Sequence, residues 1–145
     1  MRRVQQVQCG VAAVVMLGLL GSPVAAQEPL TEESYGPTMA EVRLLVGDVS
    51  QYIDNRYWPE LGEALDKLFP EFRRIEAFWE GRGNDGASGI AGESIAALQE
   101  LGKAGIAMEV GAAQTGLQNL RATCSSCHEA HREADGDGFK IKSGS

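Results

Sequence analysis

The sequence predicts an all-α fold, an antiparallel four-helix bundle, on three observations. Apolar residues recur at three-and-four spacing in four successive segments, which places them on one face of a helix. No segment shows the strict alternation of a half-buried strand. The breaks between the segments are short, so neighbouring helices must run in opposite directions.

The chain has 145 residues, enough for one domain with a single core. Its first 26 residues hold Arg2 and Arg3, an apolar run from Val11 to Leu20, the stretch Ser22-Pro23-Val24-Ala25-Ala26, and no acid. That is the pattern of a secretory signal cleaved after Ala26, and it predicts export to the periplasm. The apolar run is too short for a permanent membrane helix. Cys9 precedes the run instead of ending it, which argues against a lipid anchor, and it would leave with the signal. The expected mature domain is residues 27–145, or 119 residues.

After a polar lead-in from Gln27 to Ser34, the first helix is predicted over about 36–54 from Met39, Val42, Leu45 or Val46, Val49 and Ile53. Pro37 suits its first turn. The second, over 58–81, carries Leu61, Leu65, Leu68, Phe72, Ile75 and Trp79, with Pro70 inside it to kink or interrupt it. Gly81 to Gly86 form a loop. The third, about 87–107, is alanine-rich and anchored by Ile90, Ile95, Leu98 and Leu101. A break near Met108-Glu109 keeps helix length ordinary. The fourth carries Val110, Ala113, Leu117, Leu120, Cys124, Cys127, His128 and His131 on one stripe and is predicted to end near Ala134. A solvated polar tail is expected over about 135–145.

Removing the signal takes Lys and Arg from 13 to 11 against 20 acids, a net charge of −9. Such a surface repels phosphate backbones, so nucleic acid is excluded as a partner. A protein partner is expected to present basic groups, and no mature segment is apolar enough to cross a membrane.

Both remaining cysteines and both histidines fall within Cys124-Ser125-Ser126-Cys127-His128-Glu129-Ala130-His131. Cys-x-x-Cys-His is the attachment pattern of a c-type haem: two thiols add to vinyl groups as thioethers, and the adjacent imidazole binds the iron. On a helix, Cys124, Cys127 and His128 lie within about 100° of one another, so one face presents all three to a flat macrocycle. A zinc site from Cys124, Cys127, His128 and His131 needs four ligands converging tetrahedrally, which consecutive turns of one helix do not easily supply. A thioredoxin-like redox pair needs a βαβ context that is missing. A plain disulfide explains neither His128 nor the export.

With a ring and then a base closing the motif at His131-Arg132, the chain resembles the class II c-type cytochromes, the cytochrome c prime family. Leu68-Phe69-Pro70, Phe78-Trp79 and the Phe139-Lys140-Ile141-Lys142 tail add weaker likeness. The resemblance implies a four-helix domain with one covalent haem near the C-terminus of the fourth helix, and iron bound by His128. It also implies thioethers at Cys124 and Cys127, and Arg132 near the propionates or the proximal imidazole. His131, on the same helix as His128, cannot reach the opposite haem face; it stands where the family usually has Phe or Tyr. Relatives often form homodimers through their first two helices.

Bundle topology brings the start of the first helix to the end that holds His128. Met108 lies 20 residues before His128, about 30 Å of helix away. Met39 is thus the one mature thioether within reach of the iron, a second metal ligand or else a core filler. Family members often carry an Arg-Gln pair one turn before the distal position; here Tyr35-Gly36 stands there, and Arg43 is the nearest cation. The expected function is a periplasmic monohaem electron carrier rather than an enzyme. The alternative is a five-coordinate haem module that binds NO or CO.

Overall fold

A computed structural model describes residues 28–145; the expected signal, residues 1–26, lies outside the described residues. Four helices occur in the order α1 (Glu32–Asn55), α2 (Trp58–Gly81), α3 (Asp85–Ile106) and α4 (Val110–His131), and two short strands close the chain, β1 (Arg132–Asp135) and β2 (Gly138–Ile141).

α1 begins about one turn earlier than its apolar spacing predicts, because Thr31 and Ser34 cap it reciprocally. The Thr31 hydroxyl accepts from the Ser34 N–H at 3.2 Å, and the Ser34 hydroxyl accepts from the Thr31 N–H at 2.9 Å. Pro37 therefore sits in the second turn, where it removes one N–H donor. The helix stops at Arg56, whose left-handed φ of 59° turns the chain into α2. α2 runs through Pro70 as a single element. Asn84 caps α3 by accepting from the Ala87 N–H at 2.9 Å, and Met108, at φ 58°, makes the turn into α4.

The end of the chain corrects the sequence reading. α4 stops at His131, not near Ala134, and the chain then forms an antiparallel hairpin pairing Arg132 with Ile141 and Asp135 with Gly138; the segment is exposed, as expected of a polar tail, but paired. Gly136, at φ +58°, supplies the first position of the two-residue turn, which a side chain would strain. The Lys142 N–H donates to the His131 carbonyl at 2.8 Å, so the hairpin satisfies a carbonyl that the helix end leaves open.

The core follows the predicted apolar stripes with one exception: Ile90, expected to anchor α3, is half-buried and lies outside it, while Met39 and Val110 pack at its edge. Val42, Val49 and Ile53 of α1 are buried with Leu61, Leu65, Leu68, Phe72, Ile75 and Trp79 of α2. Ile95, Leu98 and Leu101 of α3 and Ala113, Leu117 and Leu120 of α4 complete it. Each helix packs on the next, and α1 also packs on α4. Residues early in one helix meet residues late in its neighbour: Leu61 lies against Gly105, Leu65 against Gly102, Tyr35 against Trp79 and Ser94 against Thr123. The closest seam is α3 on α4, where a Cβ on Gly116 would stand 3.0 Å from the Leu101 Cα. Among the described residues no helix is long and apolar enough to cross a membrane.

Candidate haem site

The start of α1, the end of α2, the last turn of α4 and the hairpin enclose a cleft of about 1120 Å³, large beside the roughly 300–1,000 Å³ of ordinary small-molecule sites. α1 contributes Tyr35, Met39 and Arg43, and α2 contributes Trp79 and Arg82. Cys127, His128 and His131 come from α4, with Arg132, Phe139 and Ile141 from the hairpin. Met39, Cys127, His128 and Arg132 are thus brought to one cavity. Cys124 is half-buried against the core, one turn before Cys127, and does not line the cleft. Met108 is exposed at the opposite turn.

Trp79 organises the back wall. It is 1% exposed, and its Nε1–H donates to the Tyr35 hydroxyl at 2.8 Å. The Tyr35 and Phe78 rings pack at 4.7 Å, and Phe78 meets Trp79 edge-on at 5.3 Å. On its other side Trp79 packs on the His131 ring, 5.3 Å between centroids. Arg82 lies over Phe78 and Trp79 and pairs with Glu32, which ties the end of α2 to the start of α1. Of the α2 aromatics Phe69, Phe72, Phe78 and Trp79, only Trp79 lines the cleft. Sequence reasoning misses Tyr35, Phe139 and Ile141 as site residues, because nothing in their spacing links them to His128.

The electrostatics suit metal ligation at His128 and argue against redox exchange at the cysteines. Burial pushes the His128 imidazole below its ordinary pKa, and Arg132 adds to the effect, so the ring is neutral and a nitrogen lone pair is free at neutral pH. Burial raises both thiols; Arg121 works against this at Cys124, and the neighbouring Cys124 adds to it at Cys127. The two cysteines are free thiols. Redox-active Cys-x-x-Cys pairs need the opposite, a lowered thiol pKa. Burial also lifts the Tyr35 hydroxyl well above the ordinary phenol range, against the lowering effect of the bond from Trp79. Among the described residues no group of three or more His, Cys, Asp or Glu side chains is placed to hold a bare metal ion, which disfavours the zinc reading.

Arg132 spreads its guanidinium over the Phe139 ring at 4.1 Å. Among the described residues His131 Nδ1, in the cleft, is buried and makes no hydrogen bond, a condition that costs about 1–3 kcal/mol unless a ligand or water relieves it. A haem suits this donor set. A neutral imidazole and a thiol line the cleft, a thioether lines it from another helix, and an unpartnered ring nitrogen lies beside them.

Comparison with known proteins agrees in part. The chain is 29% identical over 119 residues to cytochrome c-554 of Cereibacter sphaeroides, covering 82% of this chain and 72% of that protein. No family model and no solved structure matches the chain.

Proposed function

We propose that the chain is a periplasmic monohaem c-type cytochrome that carries one electron by cycling its iron between the ferrous and ferric states. Its fold on this reading is an antiparallel four-helix bundle of the cytochrome c prime kind. Similarity to a cytochrome c-554 supports the class. The observation that carries the site is that Met39 of α1 and His128 of α4 line one cleft together with Cys127.

His128 and Met39 would hold the iron, and Cys124 and Cys127 would hold the porphyrin as thioethers. Bound haem supplies the redox couple. The chain's own residues set the conditions. Trp79, Phe139 and Ile141 keep the pocket apolar, and the Tyr35 hydroxyl holds the Trp79 indole in place. Arg132 remains at the hairpin beside His128 and disfavours a proton on its imidazole.

Visible spectra of the native protein and of Met39→Ala, oxidised and reduced, with and without CO, test the ligation. Expected are a low-spin native spectrum, and a high-spin, CO-binding spectrum for the variant. A native spectrum already high-spin and unchanged by the substitution would remove Met39 from the iron and favour the gas-binding module. Denatured protein whose mass shows no covalent haem would overturn the whole reading.

A further inference from the structure

His131 is held in the cleft from several directions. It lies three residues beyond His128 and four beyond Cys127, a spacing that puts the three side chains on one face of α4, and all three line the cleft. Its ring packs on Trp79, 5.3 Å between centroids, and Trp79 is itself fixed by burial and by its bond to the Tyr35 hydroxyl. The backbone beneath the ring is pinned as well: the His131 carbonyl accepts from the Lys142 N–H at 2.8 Å, where the hairpin closes on the end of α4. The side chain has little freedom to swing its Nδ1 into water.

That Nδ1 is buried and makes no hydrogen bond among the described residues. Against an aromatic wall a carbon ring would pack as well and lose no hydration, so the nitrogen is a net cost until something in the cleft bonds to it. The rim of a haem offers hydrogen-bonding groups of one kind, two carboxylates, which are ionised at neutral pH and only accept. Two of the cations around the cleft are already engaged: Arg82 pairs with Glu32, and Lys140 lies 3.4 Å from Asp135 and 3.7 Å from Glu133. A neutral donor on the cleft wall therefore has a place beside them.

We propose that His131, in the tautomer that carries its proton on Nδ1, donates a hydrogen bond to one carboxylate of the haem. The inference rests on the haem reading and gives His131 the part of a positioning residue, distinct from the iron ligand three residues before it. Thioethers at Cys124 and Cys127 fix one edge of a macrocycle, and a bond from His131 fixes a second, so the plane cannot rock about the line between the two sulfurs. The same bond draws charge from the carboxylate, which favours ferrous over ferric iron and raises the potential.

The test uses protein with covalently attached haem, native and with His131→Phe or His131→Asn. Phe keeps a flat ring against Trp79 and loses the donor; the Asn amide group leaves Cγ as Nδ1 does and keeps one. Resonance Raman of the ferrous protein reads the bending mode of the haem carboxylates, whose frequency rises with hydrogen bonding. Expected are a downshifted band and a lower midpoint potential for His131→Phe, both largely restored in His131→Asn.

A band and a potential unmoved in both variants would overturn the proposal, and so would equal changes in the two, which would trace the effect to ring volume rather than to a donor. Should His131→Phe fail to keep its haem, long-range 1H–15N NMR of the native ferrous protein, CO-bound if high-spin, decides the matter. A proton on His131 Nδ1 supports the proposal, and one on Nε2 overturns it. A purified chain without covalent haem would overturn both the proposal and the reading beneath it.

Discussion

The Trp79 indole donates its single N–H to the Tyr35 hydroxyl across the α1–α2 interface at 2.8 Å, and this bond joins the back wall of the cleft to the helix that carries Met39. Tyr35→Phe leaves a buried donor unpaired and is expected to destabilise the protein by about 1–3 kcal/mol. Equilibrium urea unfolding measures it. A loss below about 0.3 kcal/mol would mean that the bond contributes nothing net.

The same residue predicts an alkaline effect. Burial raises the Tyr35 pKa in the folded state above its ordinary value near 10. Its contribution is therefore fully present below that value and is lost as pH rises above it, since the unfolded chain ionises first. Unfolding free energies measured from pH 9 to pH 11.5 should fall less steeply for Tyr35→Phe than for the native chain.

Ser94, 3% exposed, shares a 2.7 Å hydrogen bond with Thr123, the residue before the first motif cysteine. Each hydroxyl also reaches a carbonyl of its own helix, Ile90 for Ser94 and Leu120 for Thr123. Thr123→Val should cost about 0.5–1.5 kcal/mol. With Ser94→Ala added, the total should be smaller than the sum of the single losses, because no buried hydroxyl is then left half-satisfied. A double-mutant cycle by urea unfolding reads the difference, and strict additivity would count against a coupled pair.

Haem-free protein offers a direct view of the motif. With both thiols raised by burial, alkylation by iodoacetamide at pH 7.5 should be slower than for an unstructured cysteine peptide, and Cys127, on the cleft wall, should react ahead of Cys124. Peptide mapping assigns the sites. In haem-loaded protein neither should react even after denaturation, since both sulfurs are then thioethers.

His128 sets an acid limit on that haem-free form. Its folded pKa is lowered, first by burial and then by Arg132. The neutral ring's contribution is thus present above the ordinary value near 6.5 and is lost as pH falls through the folded value. Stability measured from pH 7.5 to pH 5 should decline less for His128→Gln. An identical decline in both proteins would place the acid sensitivity elsewhere.

The helices were legible in the sequence because their apolar residues repeat at helical spacing and the structure buries them: Leu61, Leu65, Leu68, Phe72, Ile75 and Trp79 form an unbroken inner face of α2. The start of α1 was not, because its cap uses a serine where a glutamate or glutamine is the usual signal, and Pro37 pointed one turn too late. The strands of the hairpin left no pattern, since at four residues each and largely exposed they show no alternation; only the Asp135-Gly136 turn between them could be read. The motif from Cys124 to His128 could be read from spacing alone. Its surroundings could not, because Tyr35, Trp79 and Phe139 meet His131 and Arg132 only through folding, and a net charge records no positions.

Gly116 gives the bundle a fulcrum. At that point α4 rests on the α3 backbone with no room for a methyl group, and His128 lies twelve residues further along, a lever arm of about 18 Å. A tilt of a few degrees at this crossing would displace the imidazole by more than an ångström relative to Met39 on α1. The distance between the two proposed iron ligands is thus governed partly by the smallest residue of a seam remote from either.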